Sequence, residues 1–294
     1  MGTIEISPTA VAESPTAVIT QVPGDGPVDV FVEGQIVFSS DRDGGDSDIY
    51  SVNTDGGKMT RLTDAPGFDG QPTWFPDGSK ILFASDRNGS LDIYSMNADG
   101  TDVVQLTDDP ASDHSPVMSF NGKMIAFTTD REGTFDVYLM LADGSGAGPL
   151  IASPGKDWFP AWSPSASEVA FVSEQDGEQD LYVISAATNE IRQLTQGVGD
   201  VFSPHWSPNG RFIAFAAGKD VPSIYIIEPD GNNLQQVTVD DSKDLLPRWS
   251  PDSNYIVFAS ERDGNMDIYI VDEEGNELRV TAHTAMDTAP SWKP

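Results

Sequence analysis

Five aspartates, Asp69, Asp113, Asp157, Asp244 and Asp287, each stand three residues before a proline. The sixth such position holds Val201, with Asp200 beside it. Set in one ring, these carboxylates offer the oxygen donors of a hard-cation site, and Ca2+ takes about six to eight. An aspartate entering a loop also caps backbone N–H groups with no metal present. Sequence leaves both open. Beside the ring, equivalent positions diverge and hold His114, Trp158, Phe159, Phe202, His205, Leu245, Leu246 and Arg248. Repeat proteins recognise ligands where their copies differ, and aromatics with an arginine are common anchors. Apolar anchors inside an acidic ring suit a peptide with apolar side chains and a basic residue.

Other chemistry is thinly supplied. Cysteine is absent, which removes thiolate catalysis, thiolate metal sites and disulfides. The histidines, His114, His205 and His283, share no spacing. A general base other than histidine would have to be Lys or Arg, and Arg248 is the candidate. No G-x-S-x-G elbow occurs. The loop Asp41–Asp48 begins like a calcium loop, but Val52 stands where its twelfth residue should be acidic.

The elements that must position these residues form a repeat. Tyr50, Tyr94, Tyr138, Tyr182, Tyr225 and Tyr269 recur at about 44-residue steps. A second series, Trp74, Met118, Trp162, Trp206, Trp249 and Trp292, runs in register, each member two residues after a proline. Within residues 72–113, four short alternating segments (PTWF, KILFAS, DIYSMN and DVVQLT) are separated by Asp-Gly and Asn-Gly turns. No helical period appears. Four antiparallel strands per repeat at this spacing predict an all-β, six-bladed β-propeller. Residues 288–294 supply only a first strand, while the series opens on second-strand residues 34–39. The C-terminal strand should therefore close the ring by joining the N-terminal blade.

Two charged patterns remain. Asp48, Asp92, Asp136, Asp180 and Asp267 precede the tyrosines by two residues, with Ser223 in the fifth repeat. Arg42, Arg87, Arg131 and Arg262 open the same loops, and the two sets are expected to pair within each blade. Strand alternation puts the fourth-to-first and second-to-third connections on one face, and tight turns on the other. The longer, more varied loops should carry the binding face.

Residues 34–294 form the propeller, and residues 1–33 a Pro/Thr/Ala-rich arm or linker. ITQV and its β-branched neighbours in the arm would suit an added strand, in cis or on another molecule. Met1-Gly2 reads as an added start or a trimmed mature end, with no leader pattern. No apolar run is long enough to span a membrane. Forty-seven acidic against 16 basic residues give a net charge of −31. A field of that sign excludes nucleic acid as a partner and favours cations or basic partners.

The W-S-P-D/N-G turns (Ser207-Pro208-Asn209-Gly210, Ser250-Pro251-Asp252), the S-D/E-R-x-G loops (Ser85–Gly89, Ser260–Gly264) and the D-I-Y strands closely resemble TolB-like propeller repeats over residues 34–294. The resemblance implies a periplasmic or cell-surface propeller that binds protein or peptide at its channel mouth, with Ca2+ in the channel. The α/β domain of that family has no counterpart here. Three functions follow. The first is a non-catalytic, extracytoplasmic binding or scaffold propeller. The second is a structural surface or filament subunit, self-assembled through residues 1–33. The third is a metal-dependent polysaccharide lyase of the propeller type.

Overall fold

The protein is described by a computed structural model that covers residues 33–151, 153 and 155–294. Six four-stranded antiparallel sheets form the blades of a propeller. Blade 1 joins Asp287–Trp292 to Gln35–Ser40, Asp48–Asn53 and Thr60–Arg61. Blades 2 to 6 follow in chain order, opening with Asp69–Trp74, Asp113–Met118, Asp157–Trp162, Val201–Trp206 and Asp244–Trp249. The ring closes as predicted: Ile36 faces Trp292 and Ser40 faces Asp287. The arm lies outside the described residues, apart from Glu33.

Two boundaries differ from the sequence expectation. The innermost strand begins at the aspartate rather than near the proline, so the aspartate is a strand residue and not part of a loop. The fourth strand of blade 2 pairs only at Val104–Gln105, because the outer edge has no next strand to order it.

Inside each blade a phenylalanine of the second strand faces the repeating tyrosine, as Phe83 faces Tyr94 with ring centroids 5.6 Å apart. In four blades an arginine lies over both rings; the Arg87 guanidinium carbon stands 5.3 and 5.0 Å from their centres. The expected Arg–Asp pairing needs correction here. The arginines bind the first-strand aspartates instead: Arg42–Asp287 at 2.8 Å, Arg87–Asp69 at 2.7 Å, Arg131–Asp113 at 2.8 Å and Arg262–Asp244 at 3.2 Å. Four of the aspartates before the tyrosines, Asp48, Asp92, Asp180 and Asp267, bind the threonine that follows the fourth strand, whereas Asp136 bonds Thr134 in its own loop. Asp92 accepts from Thr107 Oγ1 at 3.2 Å, while that hydroxyl accepts the Ile93 N–H. Asp48 and Asp267 add Arg61 and Arg279. The second-to-third loop thus grips the innermost strand, and the third strand grips the fourth.

Removing one partner of a buried ion pair leaves an uncompensated charge, at a cost of about 3–5 kcal/mol. Arg131→Met should lower stability by that order, measured by urea unfolding at pH 7. Adding Asp113→Asn should recover part of the loss, since the stranded charge is then gone.

Candidate functional site

The innermost strands face one another around the central channel, and their six prolines need no ladder donor on that free edge. The residue before each proline takes a left-handed backbone: Gln71, Ser115, Phe159, Ser203, Leu246 and Ala289 have φ of 49–58°. Pairing with the second strand slips at these residues, as between Gly70 and Thr73. A bulge therefore recurs in every blade and re-aims the residues on either side of it. Sequence offers no sign of it, since Phe and Leu are poor αL residues.

The aspartate ring is not an open carboxylate funnel. Asp69, Asp113, Asp157, Asp244 and Asp287 are at most 1% exposed. Four are held by their arginines, and Arg42 spans both oxygens of Asp287 at 2.8 Å. Asp157 has Gln175 where the four clamped blades have arginine, and among the described residues its Oδ1 has no partner. Burial raises its carboxyl above the usual range, against hydrogen bonds from Ser173 and Ser153. Among the described residues no group of three His, Cys, Asp or Glu side chains is placed to hold a metal ion. The donors are distributed one per blade and largely spent, so they do not fit a shared Ca2+ cage.

The variable positions divide into wedges and channel residues. Trp158 is buried and packs with Leu181, Val201 and Phe215 between blades 4 and 5. Phe202 and Leu245 are partly buried against the core between blades 5 and 6. His114 meets the Phe135 ring edge-on at 5.2 Å. Burial lowers its pKa to about 4. Phe159, half-buried, stands edge-on to Trp158 at 6.4 Å.

His205 and Arg248 are fifth residues of their strands, equivalent to the channel-lining Thr73, Val117 and Ser291. The Trp249 N–H donates to His205 Nδ1 at 3.1 Å, so the neutral ring carries its proton on Nε2. Burial, and secondarily the Arg248 charge, keeps that imidazole well below its ordinary pKa. Arg248 donates to its own Pro247 carbonyl at 3.2 Å. Among the described residues it has no carboxylate within ion-pair distance, although the chain carries 47 acids. Burial lowers its guanidinium to about 10, still charged at neutral pH.

Sequence reasoning also missed a cavity of about 260 Å3 at the opposite end of the channel, lined by Trp74, Trp162, Trp249, Pro76, Pro208 and Phe120 among others. Its signal was present in the recurring tryptophan with a proline two residues on. Two-residue turns alone do not reveal it, because the space lies between the tryptophans of neighbouring blades.

The sequence matches the family described as TolB beta propeller domain over residues 32–157 and 149–294. No curated protein matches it. The fold is similar to the crystal structure of TolB from Acinetobacter baumannii (TM-score 0.78, 18% identity, 89% of this chain and 67% of that one). It is also similar to a chain of the Nidogen/Laminin complex (TM-score 0.73, 8% identity, 88% and 98%). An oligogalacturonate lyase in complex with manganese gives a TM-score of 0.55 at 17% identity, over 87% and 75%. At these identities the likeness is one of fold.

Blade 4 tests the aspartate clamp directly. Gln175→Arg should supply the missing guanidinium and stabilise by about 1.5–3 kcal/mol, the worth of hydrogen bonds to a charged group. The gain belongs to ionised Asp157, so it should be present at pH 7 and shrink as acid protonates that carboxyl. Urea midpoints of both proteins across pH 7 to 3 measure it. His114 gives a second test. Its folded pKa lies below the ordinary 6.5, so its stabilising share holds above pH 6.5 and is lost as pH falls from there toward 4. His114→Gln should therefore lose less stability than the parent between pH 7 and 4.5, by the same assay.

Proposed function

Since the chain belongs to the TolB beta propeller domain family, we propose that it is a non-catalytic binding propeller for a protein or peptide segment entering the channel at its loop-side mouth. One observation carries the proposal. Arg248 keeps a full positive charge in the channel with no carboxylate beside it among the described residues, while Arg42, Arg87, Arg131 and Arg262 are each ion-paired. An arginine left uncompensated in a partly dry site is a receptor for an anionic group of a ligand. Its neighbour His205 offers an Nε2–H donor, and half-buried Phe159 and Leu245 offer apolar contact nearer the mouth. The segment recognised thus carries apolar anchors and a carboxylate. This replaces the basic ligand expected when the aspartate ring was taken as exposed.

The extracytoplasmic location implied by the family belongs to the same proposal. The lyase alternative would need grouped metal donors, which the described residues do not bring together. The filament alternative rests on residues 1–33, nearly all outside the described residues.

The test is selection from a random peptide display library on the intact protein. Selected peptides should be enriched in Asp, Glu or a free C-terminus next to an aromatic. Arg248→Met should weaken them at least about tenfold, in keeping with loss of a charged anchor. Asp99→Ala and Asp143→Ala, on the exposed third-to-fourth turns, should leave affinity unchanged. Equal binding to Arg248→Met would sink the proposal.

A further inference from the structure

In blades 1, 2 and 3 the third-to-fourth turn reaches sideways onto the blade before it, and glycine permits the approach. A β-carbon added to Gly100 would stand 2.5 Å from the Leu62 carbonyl oxygen. One on Gly144 would stand 2.6 Å from Leu106 O, and one on Gly56 2.9 Å from Val280 O. Gly231 is looser, at 3.6 Å from Leu194 O. Gly275 in blade 6 is different: a β-carbon there would meet nothing within 4 Å. The residue that opens the turn (the one before the Asp-Gly or Glu-Gly pair in every blade but blade 4, whose turn has none) makes the same distinction. The backbone N–H of Thr54, Ala98, Ala142 and Ala186 each donates across its own blade, to Gly34 O, Ser79 O, Lys123 O and Ser167 O. Blade 5 has Pro229 at that place, which has no N–H to give. Blade 6 has Glu273, too long and charged to tuck in, and no such bond is made.

The turn of blade 6 therefore stands off blade 5, and a groove of about 640 Å3 opens between them. That is within the range of ligand-binding pockets, about 300–1,000 Å3. Its floor is apolar, formed by Phe212 stacked on Trp249 at 6.4 Å, with Ile226, Val237 and Val271. The junction between blades 6 and 1 has the same kind of stack, Tyr255 on Trp292, but there the Gly56 turn is pressed onto the Val280 backbone of blade 6. Beside the open groove Val239 is 82% exposed, the most exposed large apolar residue among those described.

The rim is acidic, and its charges are unequal. Asp240 and Glu277 are bound to Arg262, and Asp272 caps its own turn through the Glu274 and Asn276 N–H groups. Arg211 is drawn over the Phe212 ring at 4.8 Å. The side chains of Glu273 and Glu274 are exposed, with no hydrogen bond or ion pair among the described residues. From an apolar floor with two free carboxylates at its lip, we infer that the groove between blades 5 and 6 is a second docking site, for a partner segment that places an apolar side chain between basic residues. Charge selects this occupant. Residues 1–32 contain Glu5, Glu13, Asp25 and Asp29 and no Lys or Arg, so the chain's own arm is the poorer match.

Two labelled synthetic peptides test it, both with a Phe-Leu-Phe centre, one flanked by lysine pairs and the other by glutamate pairs. They are titrated against the full chain by fluorescence anisotropy. The lysine peptide should bind at least about tenfold more tightly, as expected where opposite charges meet over an apolar contact. Glu273→Lys with Glu274→Lys should remove that preference. Asp55→Lys, on the closed turn of blade 1, should leave it, and so should Arg248→Met, which separates this site from the channel. A benzophenone amino acid at Val239 should cross-link the lysine peptide. Equal binding of the two peptides, no binding of either, or the same loss with Asp55→Lys would overturn the inference. So would cross-linking of Val239 to residues 1–32 or to a second copy in place of the peptide.

Discussion

A carboxylate at the head of the innermost strand, buried to 1% exposure or less in five of the six blades, sets the terms for most of the ring. Such a charge is tolerated only with a well-placed counter-charge and hydrogen bonds. The arginine that supplies it comes from the second-to-third loop and has its flat face against a Phe–Tyr pair. One side chain thus joins the channel strand, the loop and the blade core. The cation–π contact adds a contribution of its own, about 0.5–2 kcal/mol depending on solvation. Loop conformation, strand start and aromatic packing are consequently fixed together in blades 1, 2, 3 and 6.

Blades 4 and 5 dispense with the clamp in different ways. Blade 4 keeps Asp157 with serines beside it in place of a guanidinium; blade 5 replaces the aspartate with Val201 and has no arginine in its loop. The departures are not scattered. His205 lies in blade 5, Arg248 follows it in blade 6, and the splayed junction lies between the same two blades. Regularity around the first half of the ring supports a second half in which the repeat is spent on chemistry.

Much of the architecture was legible because it depends on periods. Two interleaved aromatic series fixed the blade count, and the split first blade fixed the closure. Pairing was harder to read. Asp69 and Asp92 are both near enough in sequence to Arg87 to be its partner, and only the hairpin's hand decides that Asp69 takes it. The bulge was invisible because a positive φ at Phe159 or Leu246 contradicts what those residues prefer; the ring imposes it. The groove was hidden for the opposite reason. Gly275 sits in the same motif as Gly100, and whether a glycine is pressed against a neighbour is a fact about the neighbour. Composition misled in one respect, since the aspartates it counted as a field at the mouth are mostly neutralised inside the blades.

The seam in blade 1 has a mechanical consequence. Gln35 and Lys293 lie side by side, with the Lys293 N–H donating to the Gln35 carbonyl at 2.9 Å, so both chain ends leave from the same end of the sheet. Tension applied between them would load this antiparallel pair as a zipper, one hydrogen bond at a time, rather than in shear across the whole strand. The propeller would then yield first at its closure, opening from a ring into an arc of five intact blades while the clamps inside them hold.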